Sequence, residues 1–130
     1  MIQDTSFIVD ILRGDDEALV VLDVLERESR PQKVSAITAL ELYEGVARSD
    51  ASEAKQEEIF RVLESKHVLD ADHTVMRKAG LLSGRLIRGG RRIDREDCVI
   101  AATALLEDEP VLTRNRKHFE RIDGLDVEGY

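Results

Sequence analysis

Short apolar runs alternate with longer amphipathic stretches along the chain. The runs predict five β-strands, at residues 1–3, 34–37, 67–69, 110–113 and 125–127. Between them, apolar residues recur at helical spacing, and the stretch 94–107 is apolar enough to predict a central, buried helix. Alternating strands and helices predict an α/β fold, a three-layer α/β/α arrangement whose mainly parallel sheet has four to five short strands.

The turn after the first predicted strand is the first candidate for a site, because parallel sheets bind ligands beyond the carboxyl ends of their strands. Asp4 directly follows this strand, and Thr5 and Ser6 add hydroxyl groups at the same turn. Asp4 is equally suited to capping the helix that follows. The local sequence does not choose between these two roles.

Further oxygen donors follow the second and fourth predicted strands. Glu41 lies just beyond the second strand, in the predicted first turn of a helix that directs it toward the crevice. The spacing Thr38-x-x-Glu41 also fits a capping box, in which the glutamate bonds backbone N–H groups. Thr113 and Asn115 follow the fourth strand and offer neutral oxygen donors at the same edge of the sheet.

Three acidic residues open the apolar helix, namely Asp94, Glu96 and Asp97. The spacing Asp94-x-x-Asp97 fits helix capping, and the helix dipole favours carboxylates at an N-terminus. Three acids within four residues exceed what capping requires, and they repel one another unless a cation is present. Carboxylates without His or Cys partners suit Mg²⁺ or Mn²⁺, and the sequence has no Cys/His spacing for zinc. Their joint placement with Asp4 and Glu41 predicts a divalent-metal site.

Composition bounds the class of protein. The chain has 130 residues, 42% hydrophobic and 35% charged, which is typical of one globular domain spanning 1–130. No apolar run is long enough to span a bilayer, and the single Cys98 cannot form an internal disulfide. We therefore expect a cytoplasmic protein without a membrane segment. Taken alone, the net charge of −8 argues against a nucleic-acid partner.

The charge is unevenly distributed, which weakens that last argument. Residues 1–76 contain 17 acidic and 8 basic residues, whereas residues 77–130 contain 10 acidic and 11 basic ones. Two basic groups border the candidate acids and fit contacts to the phosphates of a substrate backbone, although a solvated surface is the alternative. The residues predicted to make these contacts are Arg85, Arg88, Arg91, Arg92, Arg114, Arg116 and Lys117. Gly84, Gly89 and Gly90 predict a mobile loop in the first group.

Four segments, in this order, resemble the signature blocks of PIN-domain proteins, and most closely those of VapC-type toxins from toxin–antitoxin modules. They are residues 2–8 (IQDTSFI), 37–45 (ITALELYEG), 97–105 (DCVIAATAL) and 112–119 (LTRNRKHF). The resemblance extends over nearly the whole chain. One block alone is a weak signal, whereas four blocks at the right spacing are a strong one.

The resemblance implies a Mg²⁺- or Mn²⁺-dependent endoribonuclease. Its catalytic residues would be Asp4, Glu41, Asp97 and Asn115, with Asp4 and Asp97 holding the metal. The supporting residues would be Thr5, Ser6, Asp94 and Thr113. The fourth position of the family's site is often Asp, so Asn115 leaves the binding of a second metal open. The resemblance also implies a VapB-type antitoxin, an RNA substrate and a homodimer.

Two other kinds of function compete with this interpretation. A catalytically weak PIN-like module that acts mainly through its antitoxin is consistent with Asn115. A haloacid-dehalogenase-type phosphatase needs an acid two residues after Asp4, where Ser6 stands. A receiver domain needs a Lys at a late strand end, where Arg114 and Asn115 stand. The sequence therefore disfavours both phosphate-handling folds.

Overall fold

The computed structural model describes residues 1–50 and 52–130, in which the five predicted strands form one sheet. The strands are β1 (Ile2–Gln3), β2 (Lys33–Ser35), β3 (His67–Leu69), β4 (Val111–Leu112) and β5 (Val127–Glu128). Their order is β3-β2-β1-β4-β5, and every neighbouring pair is parallel. The predicted α/β class is confirmed.

Seven helices are found in the described part of the chain. They are α1 (Thr5–Leu12), α2 (Asp16–Arg27), α3 (Ala36–Arg48), α4 (Glu53–Glu64), α5 (His73–Arg88), α6 (Arg95–Glu107) and α7 (Arg116–Phe119). Side-chain caps fix several of their starts: Asp15 accepts a hydrogen bond from the N–H of Ala18, and Asp72 accepts one from Val75, both at 3.0 Å. None of the described helices is long and apolar enough to cross a membrane.

Two hydrophobic cores lie on the two faces of the sheet. Val111 packs with residues of α5 and α6, whereas its neighbour Leu112 packs with residues of α1, α2, α3 and α4. Successive side chains of a strand point to opposite faces, so these cores are on opposite sides of β4. The result is the predicted three-layer α/β/α arrangement.

Helix α6 is the most deeply buried of these helices, as its apolar sequence predicts. Every residue from 98 to 104 is buried. The one hydroxyl in this stretch is satisfied within the helix, because Thr103 donates to the carbonyl of Val99 at 2.8 Å. A helix enclosed on all sides has little freedom to shift, so the acids on its first turn are held firmly in place.

The strand order creates a crevice between β1 and β4. The chain leaves β1 toward β2 and β3 on one side, and β4 and β5 lie on the other, so this is where the direction of winding reverses. The backbone N–H of Asp4 donates to the carbonyl of Leu112 at 2.9 Å, which pairs the two strands up to their ends. Asp4 and Thr113 therefore leave the sheet side by side.

The basic segment before α6 is mainly helical, so the prediction of a mobile loop at Gly84 was wrong. Gly84 lies inside α5, and only Gly89 and Gly90 follow its end. The apolar face of α5 continues past Gly84, from buried Val75 to buried Leu86. Packing of this face outweighs the low helix propensity of one glycine.

Candidate active site

Asp4 is both a helix cap and a member of the crevice, so the two predicted roles coexist. It is 2% exposed and forms the N-cap of α1. Its Oδ1 accepts a hydrogen bond from the N–H of Thr5 at 2.8 Å. Its Oδ2 accepts from the hydroxyls of Ser6 and Thr113, both at 2.7 Å. Three donors from two turns thus fix the orientation of this carboxylate.

Glu41 reaches the same turn from α3, although its predicted position in the helix was wrong. The N-cap of α3 is Ser35, whose hydroxyl accepts a hydrogen bond from the N–H of Ile37 at 3.2 Å. Helix α3 therefore starts too early for a capping box between Thr38 and Glu41, and Glu41 lies in its second turn. Its Oε1 is 2.7 Å from the Thr5 hydroxyl, which is also 3.0 Å from that of Thr38.

Asp97 lies in the first turn of α6 and titrates abnormally. Burial raises its pKa to about 7, and the charges of Asp4, Asp94, Glu41 and Glu96 add to the rise. Asp94 is the N-cap of α6 but makes no side-chain cap hydrogen bond, so its carboxylate is not used in capping. The repulsion predicted for this acidic cluster is thus present in the folded chain.

Burial and neighbouring carboxylates also shift the pKa of Glu41. Burial raises its pKa, the hydrogen bond from Thr5 opposes the rise, and the negative charge of Asp4 reinforces it. We call Asp4, Glu41 and Asp97 the site acids. In the described residues no Lys or Arg forms an ion pair with any of them, and only His118 approaches, with its Nδ1 3.6 Å from Oδ2 of Asp97.

The donor set fits a hard divalent cation in its chemistry, while the carboxylates are not drawn together into a closed ligand cage. Across residues 1–50 and 52–130, no three Asp, Glu, His or Cys side chains stand close enough to hold a metal ion together. Mg²⁺ is commonly bound by one or two carboxylates, with water and substrate phosphate completing the octahedron. The site acids, with the surrounding hydroxyls, meet that requirement.

The turn after β4 contributes its backbone and Thr113 to the site. Thr113 is fully buried, and its hydroxyl joins the two turns because it donates to Asp4 and accepts from the N–H of Asn115 at 2.9 Å. Asn115 is exposed and precedes α7. Its side chain makes no hydrogen bond within the described residues, and its catalytic role stays a prediction.

The basic residues predicted to contact RNA fall into two groups. Those of α5 and the segment after it are exposed and make no ion pair with described residues: Arg85, Arg88, Arg91 and Arg92. The others lie after β4, where Arg116 pairs with Glu120 at 3.1 Å and Lys117 is exposed. Arg114 is engaged within the protein.

Sequence reasoning missed a cluster around Arg114. Its Nε donates to Oδ2 of Asp10 at 2.7 Å, and its guanidinium lies 4.9 Å from the centre of the Tyr130 ring. The Tyr130 hydroxyl donates to the same Asp10 oxygen at 2.5 Å, and its ring packs edge-on against Phe7. We call Asp10, Arg114 and Tyr130 the arginine clamp. Nothing local in the sequence pairs residues this far apart.

The fold and these acids define a parallel α/β domain with a carboxylate site at its point of winding reversal. The family described as PIN domain matches residues 1–125, so the chain belongs to the PIN-domain family. The four segments that resemble PIN-domain blocks in the sequence are thereby accounted for.

Individual relatives agree with this membership. Ribonuclease VapC19 of Mycobacterium tuberculosis is 34% identical over 116 residues, which is 89% of each protein. Ribonuclease VapC1 of Methanocaldococcus jannaschii is 33% identical over 92 residues, 70% of this chain and 64% of that protein. The crystal structure of VapBC2 from Rickettsia felis bound to a DNA fragment from their promoter superposes with a TM-score of 0.87 at 27% identity, covering 99% of this chain and 97% of that one.

Proposed function

We propose that the chain is an endoribonuclease of the VapC toxin type, which hydrolyses phosphodiester bonds in RNA. The observation that carries the proposal is the proximity of three acids from the turn after β1, from α3 and from α6: Asp4 and Glu41 both raise the pKa of Asp97, and in the described residues none of the three forms an ion pair with a Lys or Arg. Relatives named as ribonucleases support the reaction class. The proposal therefore rests on both the acidic site of this chain and the reaction class of its relatives.

The cofactor we propose is Mg²⁺ or Mn²⁺, held by Asp4 and Asp97. When bound, the ion lowers the pKa of a water molecule and offsets negative charge on the phosphate. Asp4 is suited to hold it because three hydrogen bonds keep its carboxylate in one orientation. A cation also relieves the repulsion among the site acids, which burial would otherwise make costly.

The remaining groups position the attacking water and the RNA. Glu41 is hydrogen-bonded to Thr5, and its charge contributes to the raised pKa of Asp97, so either carboxylate can orient the water as a general base. Asn115 offers a neutral amide to the same water or to the phosphate. Arg85, Arg88 and Arg91 are exposed and suit phosphate contacts along the RNA strand.

The partner we propose is a VapB-type antitoxin in the cytoplasm. Solved structures similar to this chain are those of VapBC from Rickettsia felis and Salmonella typhimurium. The apolar residues Leu19, Val20 and Phe60 are 40%, 65% and 56% exposed, and Val62 is partly buried. These surfaces suit an antitoxin or a second copy of the chain in a homodimer.

A catalytically weak module that mainly docks its antitoxin is the second candidate. Asn115 favours it, because an exposed neutral amide stands where the family's site often has a fourth acid. This candidate predicts slow RNA cleavage at best, with a site that still binds the metal.

A cleavage assay with matched variants tests the proposal. Purified protein and a labelled RNA are incubated with Mg²⁺, with Mn²⁺ and with excess chelator, and the products are resolved on a gel. We expect cleavage only with metal, and a loss of at least about a hundredfold in Asp97→Asn. The control is Asp108→Asn, the same change at the other end of α6, where a left-handed backbone accepts Asn readily. Equal activity in the two variants would sink the assignment.

A further inference from the structure

A cavity of about 310 Å³ opens between α3, α5 and α6, and it is lined by Arg95 and Glu96 from the first turn of α6. Its walls are mainly apolar and include Ile37, Met76 and Val99. We call it the side cavity. Ligand pockets typically measure about 300–1,000 Å³, so the side cavity is at the small end and suits one ring system.

The rim of the side cavity carries two charged groups of opposite sign. Arg95 is exposed and Glu96 is half-buried, and both line the opening. Within residues 1–50 and 52–130, neither the guanidinium nor the carboxylate has a hydrogen-bond or ion-pair partner. An apolar hollow with a few convergent, unused polar groups is the usual composition of a ligand site.

The N-terminus of α6 links the side cavity to the site, because Glu96 lines the cavity and Asp97 is one of the site acids. Glu96 directly precedes Asp97, and its charge contributes to the raised pKa of both Asp97 and Glu41. A nucleotide whose phosphate lies among the site acids would therefore have its base, or that of its neighbour, within reach of the side cavity.

We infer that the side cavity receives a guanine base of the RNA, next to the scissile phosphate. The inference rests on the proposed nuclease function. Of the four RNA bases, guanine alone presents two adjacent N–H donors, N1–H and the N2 amino group, on its Watson–Crick edge. The Glu96 carboxylate has two acceptor oxygens to match them, and Arg95 offers donors for O6.

The chain's composition supports recognition by a hollow rather than by stacking on rings. Aromatic residues make up only 4% of the sequence and Trp is absent. Sequence-specific RNA recognition usually splays out an unstacked base and bonds its Watson–Crick edge. Here the sulfur and methyl groups of Met76, Ile37 and Val99 would cover the faces of that base in place of aromatic rings.

Binding is tested separately from cleavage in an Asp97→Asn background. The probe is a 5′-labelled octauridine RNA with a single guanine at its centre, measured by fluorescence anisotropy in Mg²⁺ buffer. We expect it to bind about tenfold more tightly than the same RNA with adenine at that position. Inosine, which lacks the N2 amino group, should fall between them.

A filled cavity provides the first matched pair of variants. Gly80 lies on α5 at the cavity wall, and a Cβ built there meets no atom within 4 Å. Gly80→Leu should therefore fold, since leucine is the better helix former, yet its side chain occupies the space meant for the base. Gly84→Leu is the control, on the same helix, equally open and outside the cavity. Only Gly80→Leu should erase the preference for guanine.

The rim provides the second matched pair. In Glu96→Gln the acceptor pair becomes one acceptor and one donor, so preference should move from guanine toward adenine, which glutamine pairs well. Glu64→Gln, an equal change of charge at an exposed residue of α4, should leave the preference unchanged. If Glu96 acts only through its charge, its removal will tighten all the RNAs alike, and that result overturns the inference.

Cleavage mapping with Asp97 present separates this inference from the proposed function. Cuts at one fixed distance from guanine support both. Metal-dependent cuts without a base preference, or equal binding of the guanine and adenine RNAs, overturn the guanine site and leave the nuclease assignment standing. Absence of cleavage of any RNA overturns the proposed function. No measurable binding of the guanine RNA counts against the side cavity as well.

Discussion

Carboxylates lie in two places at the same end of the sheet: around Arg114, in the arginine clamp, and at the site acids. The two places differ in which groups offset the negative charge of the carboxylates. Around Arg114, burial would raise the pKa of Asp10, but hydrogen bonds from Tyr130 and Arg114 outweigh it and lower that pKa. Around the site acids, burial raises the pKa of Asp97 to about 7, with no Lys or Arg among the described residues to oppose it. The first group is balanced by partners within the protein, whereas in the second no Lys or Arg of the described residues offsets the repulsion, which is why we propose a cation there.

The difference shows how acid clusters can be assigned to structure or to function. The arginine clamp ties the turn after β4 to α1, because the backbone N–H of Arg114 lies 3.3 Å from the Ser6 hydroxyl. Ser6 in turn donates to Asp4. The clamp thus holds the turn that the site uses, while the site acids stay unneutralised. Perturbed, unpaired acids in a crevice are the ones expected to do chemistry.

The largest effect should come from neutralising one acid in each group. Asp4→Asn should reduce RNA cleavage by about a hundredfold or more, because it removes a charged oxygen from the site. Asp10→Asn should reduce cleavage only a few fold and should instead lower stability, because Arg114 and Tyr130 lose a charged partner. Initial cleavage rates and urea unfolding measure the two effects. If Asp4→Asn and Asp10→Asn lose cleavage activity equally, the distinction between the site acids and the arginine clamp is wrong.

The second largest effect should be a pH dependence of the free energy of unfolding that comes from the site acids and not from the arginine clamp. In metal-free protein, Asp97 keeps its proton until about pH 7, while the unfolded chain loses it near the ordinary value of 3.8. The stability that this proton contributes is complete below about pH 4 and is lost as pH rises through 7. We expect a decline of about 2–4 kcal/mol from this group.

Thermal unfolding in chelator from pH 4.5 to 8 measures this decline, and Asp97→Asn should flatten it. Added Mg²⁺ should stabilise the protein more at pH 8 than at pH 5, since protons compete with the ion for the carboxylates. Asp10→Asn should leave that difference unchanged. A metal-free protein whose stability rises between pH 5 and 7, equally with and without Asp97, would contradict the assignment.

A smaller effect should follow from Tyr130→Phe in the arginine clamp. The change removes the hydroxyl that donates to Asp10 and keeps the ring that packs against Phe7. We expect a loss of about 1 kcal/mol in the free energy of unfolding, measured in urea. Tyr43→Phe on α3 is the control, since that tyrosine is exposed and outside the clamp. Equal losses in the two variants would remove the special role of the clamp.

The smallest effect should be on RNA affinity, when an arginine without an ion pair in the described residues is compared with one that is ion-paired. Arg88→Gln should weaken RNA binding two- to threefold and lower the slope of log affinity against log salt by about 0.7, one phosphate contact. Arg61→Gln, on α4 and paired with Glu57 at 3.3 Å, should change neither quantity. Titrations at several salt concentrations decide. An unchanged slope in Arg88→Gln would take α5 out of the RNA contact surface.

The sequence predicted the elements well because their pattern is local. All five strands were placed to within about two residues, since burial on both faces produces short, continuous apolar runs. The run of acids opening α6 was equally visible, because seven buried residues follow it. The start of α3 was misplaced because Ser35 is a strand residue and a cap at once, and a capping-box spacing farther on was the stronger local signal.

The candidate acids could be proposed from the sequence, whereas their connections could not. Asp4 and Asp97 each fit helix capping as well, so it was their joint placement with Glu41 and the resemblance to PIN-domain blocks that singled them out. The hydrogen bond from Thr113 to Asp4 joins residues 109 positions apart, and no local pattern reports it. At Gly84 the local sequence was misleading. Glycine favours loops and we predicted a mobile loop there, but Gly84 lies within α5, whose packing outweighs the low helix propensity of glycine.

The sequence by itself determined the alternation of elements and the family, and it predicted the site acids, because periodicity and motif spacing are properties of neighbouring residues. Only the tertiary structure decided which acids are neutralised. Asp10 lies 104 positions from Arg114 and 120 from Tyr130, yet all three meet at one end of the sheet. Electrostatic energy depends on distance in space and on burial, so the net charge of the chain could not say where its acids remain unbalanced.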